Sequence, residues 1–207
     1  MKWFLNLKVG IKLTLAFLLM SSIVAGIGIR GIQNMQALNE QLQKTFHHHV
    51  EPLEHMSAAA IAFQHNRLTR MEMVAAVGTP QYEEFVLKSA ADMRRMDESL
   101  AAFRKAGTTA TEDKLLAQLD ADTESVKSGS LRLRAVLEDA SVDAATREKA
   151  GTALLLDPGP RQVATRMRET FDQLVDMQKK DAEAAQNEGK ALYESQKMMF
   201  LGTVVAA

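Results

Sequence analysis

Cysteine is absent from this chain of 207 residues. That one absence excludes a disulfide scaffold, a thiolate zinc site and a cysteine nucleophile. Aromatic residues make up only 5%, and β-branched runs are scarce, so nothing in the composition asks for sheet. An excess of one charge is missing too. With 25 basic and 26 acidic residues the formal net charge is -1, which gives no bulk attraction for nucleic acid. No Gly-rich phosphate loop, nucleophile elbow or pair of catalytic carboxylates appears. The sequence therefore reads as a non-enzyme with no cofactor.

What is present is helix-forming. Ala, Leu, Met, Gln, Glu and Arg abound, all residues that lose little on entering a helix. Two apolar runs stand apart. The first, Leu13 to Ile29, follows Lys2, Lys8 and Lys12. It is near the lower limit for a membrane span, and Ile11, Gly31 and Ile32 extend it. Lysines before it and a long domain after it orient the N-terminus toward the cytoplasm. A cleaved signal peptide is the competing reading, with Ala25 and Gly26 near a possible cut. The second run, "MMFLGTVVAA" at 198–207, is too short to cross a bilayer. It reads as the truncated start of a second transmembrane helix. The expected layout is a cytoplasmic N-terminus at 1–12, transmembrane helix 1 at 13–30, a sensor domain at 31–197, and the second span from 198.

Between the runs the hydrophobic period is helical. A first stripe runs Met35, Leu38, Leu42, Phe46, His49, Leu53, Met56, Ala60, Phe63, Arg67, Arg70, Val74, Val77. Steps of three and four make the seam of a bundle. Pro52 predicts a kink or local break within it, and Gly78 ends it. Thr79 and Pro80 predict the N-cap and first position of a second helix, with the stripe Phe85, Ser89, Met93, Met96, Leu100, Phe103 and an end at Gly107. "TATE" at 109–112 has capping-box spacing. It opens a third helix with Leu116, Leu119, Thr123, Val126, Ser130, Leu133 and Leu137 on one face. Asp143 is a candidate cap for a short helix at 144–156. "DPGP" then interrupts, and a last helix starts at Arg161 with Val163, Met167, Thr170, Leu174 and Met177 inward. Short connections make neighbours antiparallel. The fold class is all-α, an antiparallel up-down four-helix bundle continuous with an N-terminal transmembrane helix.

Two guanidinium groups, Arg67 and Arg70, occupy stripe positions where the pattern calls for Leu. At about 1.5 Å per residue, the first helix carries them about 70 Å from the membrane. Register places Arg161 and the third helix's Arg132 and Arg134 at the same end. Arg134 lies only about 40° from Ser130 on the core stripe, which makes it the better inward candidate. Arginines at seam positions require an anion, water or a partner acid. Glu72, Glu83, Glu84, Glu138, Asp139 and Asp157 lie at that end and could pair with them on a solvated surface. Guanidinium forks beside the backbone freed at the "DPGP" break otherwise make a carboxylate pocket. A second semi-apolar face of the first helix, Gln64, Leu68, Met71 and Ala75, suits a partner subunit.

Other clusters carry less. His47, Glu51 and His55 have the i, i+4 spacing a metal could use, but they read as surface groups near the proline. The methionines read as core filling.

The layout resembles the methyl-accepting chemotaxis proteins of bacteria. The likeness lies in the start "MKWFLNLKVGIKLTLAFLLMSSIVAGIGIRGI", in "HVEPLEHMSA" and "NRLTRMEMVAAVG", in "DPGP" and in "MMFLGTVVAA". The resemblance implies a periplasmic ligand-sensing bundle in the bacterial inner membrane, homodimeric largely through its first helix. Its partners would be a small anionic ligand, an organic acid or amino acid, and a downstream chemotaxis adaptor and histidine kinase outside this chain. In amino-acid-sensing relatives, arginines near the distal end of the first helix hold carboxylates. Arg70, followed by "MEMV", matches that setting best, and Arg67 more loosely. Asn66 stands near another arginine setting, a departure that leaves organic acids open. The candidate ligand-binding set is Arg67, Arg70, Arg134, Arg161 and Thr165. The alternatives are the input domain of a sensor histidine kinase or cyclase, or a secreted helical bundle.

Overall fold

The computed structural model describes residues 8–206, with side chains to Met198. Residues 1–7, Lys2 among them, and Ala207 lie outside the described residues. Contacts divide the chain into two compact units. One holds the described residues up to Phe46 and those from Ala184; the other is His47–Glu183.

In the first unit, helix α1 (Val9–Thr45) contains an 18-residue window of mean hydropathy 1.9, none of it buried within the protein. By length and composition this helix can cross a membrane. Two of its hydroxyls bond back to the helix's own carbonyls: Thr14 Oγ1 donates to Gly10 O at 3.0 Å and Ser22 Oγ to Leu18 O at 2.8 Å.

The expected disturbance at Pro52 takes the form of a π-helical turn, Phe46–Val50. Proline has no N–H to give to the carbonyl four residues back, and its ring crowds that carbonyl. The ladder widens by one residue just before it, and helix α2 (Glu51–Ala75) follows with Pro52 in its first turn.

The second unit is the four-helix bundle. Its members are α2, α3 (Tyr82–Lys105), α4 (Ala110–Leu137), the short α5 (Ala144–Leu156), and the 158–183 part of α6 (Pro158–Ala206). The larger core cluster draws on all four long helices, with Met56 and Phe63, Met96 and Phe103, Leu119 and Val126, Met167 and Leu174. Phe63 and Phe171 stack at 5.8 Å between centroids. A second cluster, with Met73, Val74, Tyr82, Val86, Leu133 and Leu137, draws no buried member from α6. There α5 supplies the cover through Leu154 and Leu155. Gly151 makes that approach possible: a Cβ on it would lie 2.7 Å from Leu137 Cδ2 and 3.1 Å from Val74 Cγ2.

Several local expectations hold. Gly78 (φ 80°) and Gly107 (φ 93°) sit beyond the ends of α2 and α3 in the left-handed region, which glycine reaches without steric cost. Thr109 and Glu112 form the capping box of α4. Asp143 Oδ1 accepts from Thr146 N at 2.8 Å and caps α5.

Three expectations are corrected. Thr79 does not cap α3; its hydroxyl turns back to Ala76 O at 2.7 Å, and the helix begins two residues after Pro80. The last helix begins at Pro158 rather than Arg161, because Asp157 Oδ1 accepts from Gly159 N at 3.0 Å and Pro158 suits the first helical position. "DPGP" is thus a start signal after a one-residue joint. The seam of α2 runs through Asn66 and Thr69, both fully buried, and leaves Arg67 exposed. Asn66 enters the core because Nδ2 donates to both Ser89 O and Ser89 Oγ, each at 2.9 Å.

Candidate functional site

At the end of the bundle covered by α5, a cavity of about 500 Å³ lies between α2, α5 and the start of α6. The short reach of α6 creates it. With α6 beginning at Pro158, only its first turns border this level, and α5 closes the space from the other side. Arg67 and Arg70 line it from α2, Glu148 and Thr152 from α5, and Arg161 from α6. The remaining wall is apolar, chiefly Leu68, Met71, Val74, Leu155, Leu156 and Pro160.

Arg70 is the unusual member. Its side chain is half-buried, and its Nε is sealed from solvent with no hydrogen-bond partner. Burial pushes its pKa down, and the neighbouring Arg67 charge adds to the shift. Both causes say the same thing physically: a cation has been desolvated without a counter-charge. Arg67 donates to Gln64 Oε1 at 3.1 Å, a neutral partner. Among the described residues, neither Arg67, Arg70 nor Arg161 forms an ion pair. The cavity therefore offers three guanidinium groups to whatever occupies it.

The structure brings Arg67, Arg70 and Arg161 together and leaves Arg134 and Thr165 out. Arg134 is exposed and pairs with Glu138 at 2.5 Å. That is the surface pairing the local acids allowed, and the Glu138 hydrogen bond holds the Arg134 pKa above its ordinary value. Thr165 donates to Arg161 O at 3.0 Å and, with Arg166, borders an open groove along α6 that shares Arg161 with the cavity. Arg166 is paired as well, to the buried Asp122 of α4 at 2.5 Å.

Sequence reasoning missed Glu148, Thr152, Leu155 and Leu156. Their signal was weak because α5 has no strong apolar stripe, and its role follows from where Gly151 lets it pack. His47 Nδ1 and Glu51 Oε2 meet at 3.0 Å on the exposed side of the π-helical turn.

Compared with known proteins, the chain matches, over residues 6–193, the family described as the four helix bundle sensory module for signal transduction. No curated protein and no solved structure matches it. The family is a sensing one rather than a catalytic one, and its setting is bacterial chemotaxis signalling. A bundle with one end built around uncompensated cations agrees with that match over nearly its whole length, and the chain belongs to this family as the sensing region of a methyl-accepting chemotaxis protein.

Proposed function

We propose that the chain senses a small organic anion in the periplasm and reports it across the bacterial inner membrane. In this reading α1 spans the membrane, the bundle stands outside the cytoplasm, and the apolar run from Met198 begins a second span. The ligand's carboxylate sits between Arg70, Arg67 and Arg161. The observation that carries the reading is Arg70, whose Nε is sealed and unpartnered beside a second cation. A guanidinium held this way gains most from a bidentate carboxylate.

Exposed Ile61, Leu68 and Met71 follow one side of α2, and a homodimer across that side closes the open flank of the cavity. Anion binding then favours one packing of α2 against α6, because the three arginines come from both helices. A displacement of an ångström or two along α6 suffices to bias the output. The ligand needs only a few kcal/mol of preference for one packing over the other. The receiver is a chemotaxis adaptor and histidine kinase reached through a cytoplasmic segment.

Titration calorimetry of the full chain in lipid nanodiscs against a panel of carboxylates tests this. Binding should weaken by about tenfold or more with Arg70→Ala. Carboxylate binding that survives joint replacement of Arg67, Arg70 and Arg161 by Ala, or no carboxylate binding at all, overturns the reading.

A further inference from the structure

We infer that the cavity selects a single carboxylate carried on an apolar body, and that Glu148 turns away di- and tricarboxylates. The inference rests on the anion reading above and narrows its chemical class.

Two features of the cavity support it. The first is Glu148. It lines the same space as Arg67, Arg70 and Arg161, yet it forms no ion pair or hydrogen bond with any of them. A carboxylate bound to the arginines offsets one of the three positive charges on the α2 and α6 sides. A second carboxylate on the same ligand, confined to about 500 Å³, meets an acid contributed by α5. Like charges within several ångströms disfavour each other's ionised forms. Glu148 is exposed, so solvent weakens this repulsion and the discrimination amounts to a few-fold.

The second feature is the apolar part of the lining. Val74 from α2, Leu155 and Leu156 from α5, and Pro160 from α6 supply no hydrogen-bond donor from their side chains. Leu156 remains 61% exposed, a large hydrophobe held at the cavity on a helix of only 13 residues. Carboxylates or hydroxyls placed against these four side chains lose water and gain no hydrogen bond from them. An alkyl or aryl group placed there covers apolar surface. Sites of this kind, mostly apolar with a few charged groups at one side, orient amphipathic ligands.

Calorimetry of the full chain in nanodiscs, with empty nanodiscs subtracted, decides the matter using acetate, hexanoate, phenylacetate, succinate and citrate. Hexanoate and phenylacetate should bind about tenfold or more tighter than acetate. Succinate should bind no tighter than acetate. Glu148→Gln should strengthen succinate about threefold and leave hexanoate within about twofold. Leu156→Ser, a change at an exposed position, should weaken hexanoate and spare acetate. Arg70→Ala should abolish hexanoate binding, which separates the cavity from partition into lipid. If succinate or citrate binds tightest, the selectivity inference falls while the anion reading stands. If Glu148→Gln leaves succinate unchanged, Glu148 has no part in selection. If no carboxylate binds, the anion reading falls and takes this inference with it.

Discussion

Arg70 of α2 reaches across the bundle to Gly129 of α4: Nη2 lies 3.9 Å from the point where a Cβ on that glycine would stand. The distance is ordinary van der Waals contact, so the glycine is a clearance for the guanidinium with room for one methyl group. Gly129→Ala should stabilise the bundle by about 0.5–1 kcal/mol, since glycine inside a helix costs that much relative to alanine. It should leave carboxylate binding unchanged. Gly129→Leu should displace Arg70 and weaken binding. Thermal unfolding and calorimetry on both variants check the pair, and equal binding in Gly129→Leu contradicts the clearance.

Arg70 itself should trade stability for binding. An unpaired, desolvated cation is a cost that the unliganded bundle carries. Arg70→Met, similar in length and apolar, should raise the unfolding temperature of the ligand-free protein while abolishing carboxylate binding. A variant that loses both stability and binding would mean that Arg70 is a packing element.

The core and most of the caps are legible in the sequence; the α5 side of the cavity is not. Capping residues such as Thr109, Glu112 and Asp143 act within one helical turn, so four letters suffice to read them. The α4 stripe, Leu116 to Leu137, reads cleanly because steps of three and four link its large apolar residues. On α2, "SAAAIAF" offers alanine at several adjacent phases, and a three-then-four step cannot be told from four-then-three. The second phase puts Arg67 on the seam. The structure takes the first, because Asn66 finds both of its Ser89 acceptors on α3. That partner lies 23 residues away, and hydropathy has no term for it. The cavity needs α5 against α2, which depends on the long-range fit at Gly151.

Gly151 gives a test of that fit. Its missing Cβ leaves α5 close to Leu137 and Val74, and both neighbours are almost fully buried. Gly151→Val should overpack the contact and cost about 1–3 kcal/mol, although valine is the better helix former. Carboxylate affinity should fall with it, because Glu148, Leu155 and Leu156 ride on the same helix. Chemical denaturation in detergent micelles, followed by circular dichroism, measures the first effect.

Tyr82 predicts an alkaline limit. Burial raises its pKa to about 12, with Glu138 adding to the shift; the hydroxyl lies 3.4 Å from Glu138 Oε1. The folded state thus holds the phenol proton more tightly than the unfolded chain, whose tyrosine titrates near pH 10. The stabilisation is complete below about pH 10 and is lost as pH rises through about 12, roughly 2 kcal/mol in all. Tyr82→Phe should remove this part of the pH dependence. In a Tyr193→Phe background, phenolate absorbance should show Tyr82 ionising near pH 12. Ionisation near pH 10 with the bundle still folded contradicts the burial of this side chain.

A buried acid links α4 to α6. Glu112 is 2% exposed. One oxygen, Oε2, accepts from Thr109 N at 2.7 Å and Thr109 Oγ1 at 2.8 Å, and Oε1 accepts from Gln178 Nε2 at 2.5 Å. The capping box that starts α4 is therefore also the anchor of α6, a few residues before the bundle unit ends at Glu183. Gln178→Ala should leave Glu112 Oε1 buried and unsatisfied and cost about 1–3 kcal/mol. Gln178→Leu, of similar volume but equally unable to donate, should cost as much, which separates the lost hydrogen bond from a lost volume. Gln178→Glu should cost more, because two carboxylates then face each other out of water, and that penalty should shrink as pH falls and one of them takes a proton. Denaturation of the three variants at neutral and acidic pH measures these differences. If all three match the parent protein, the Glu112–Gln178 bond does not hold α6 in register, and the displacement along that helix has to be resisted elsewhere in the bundle.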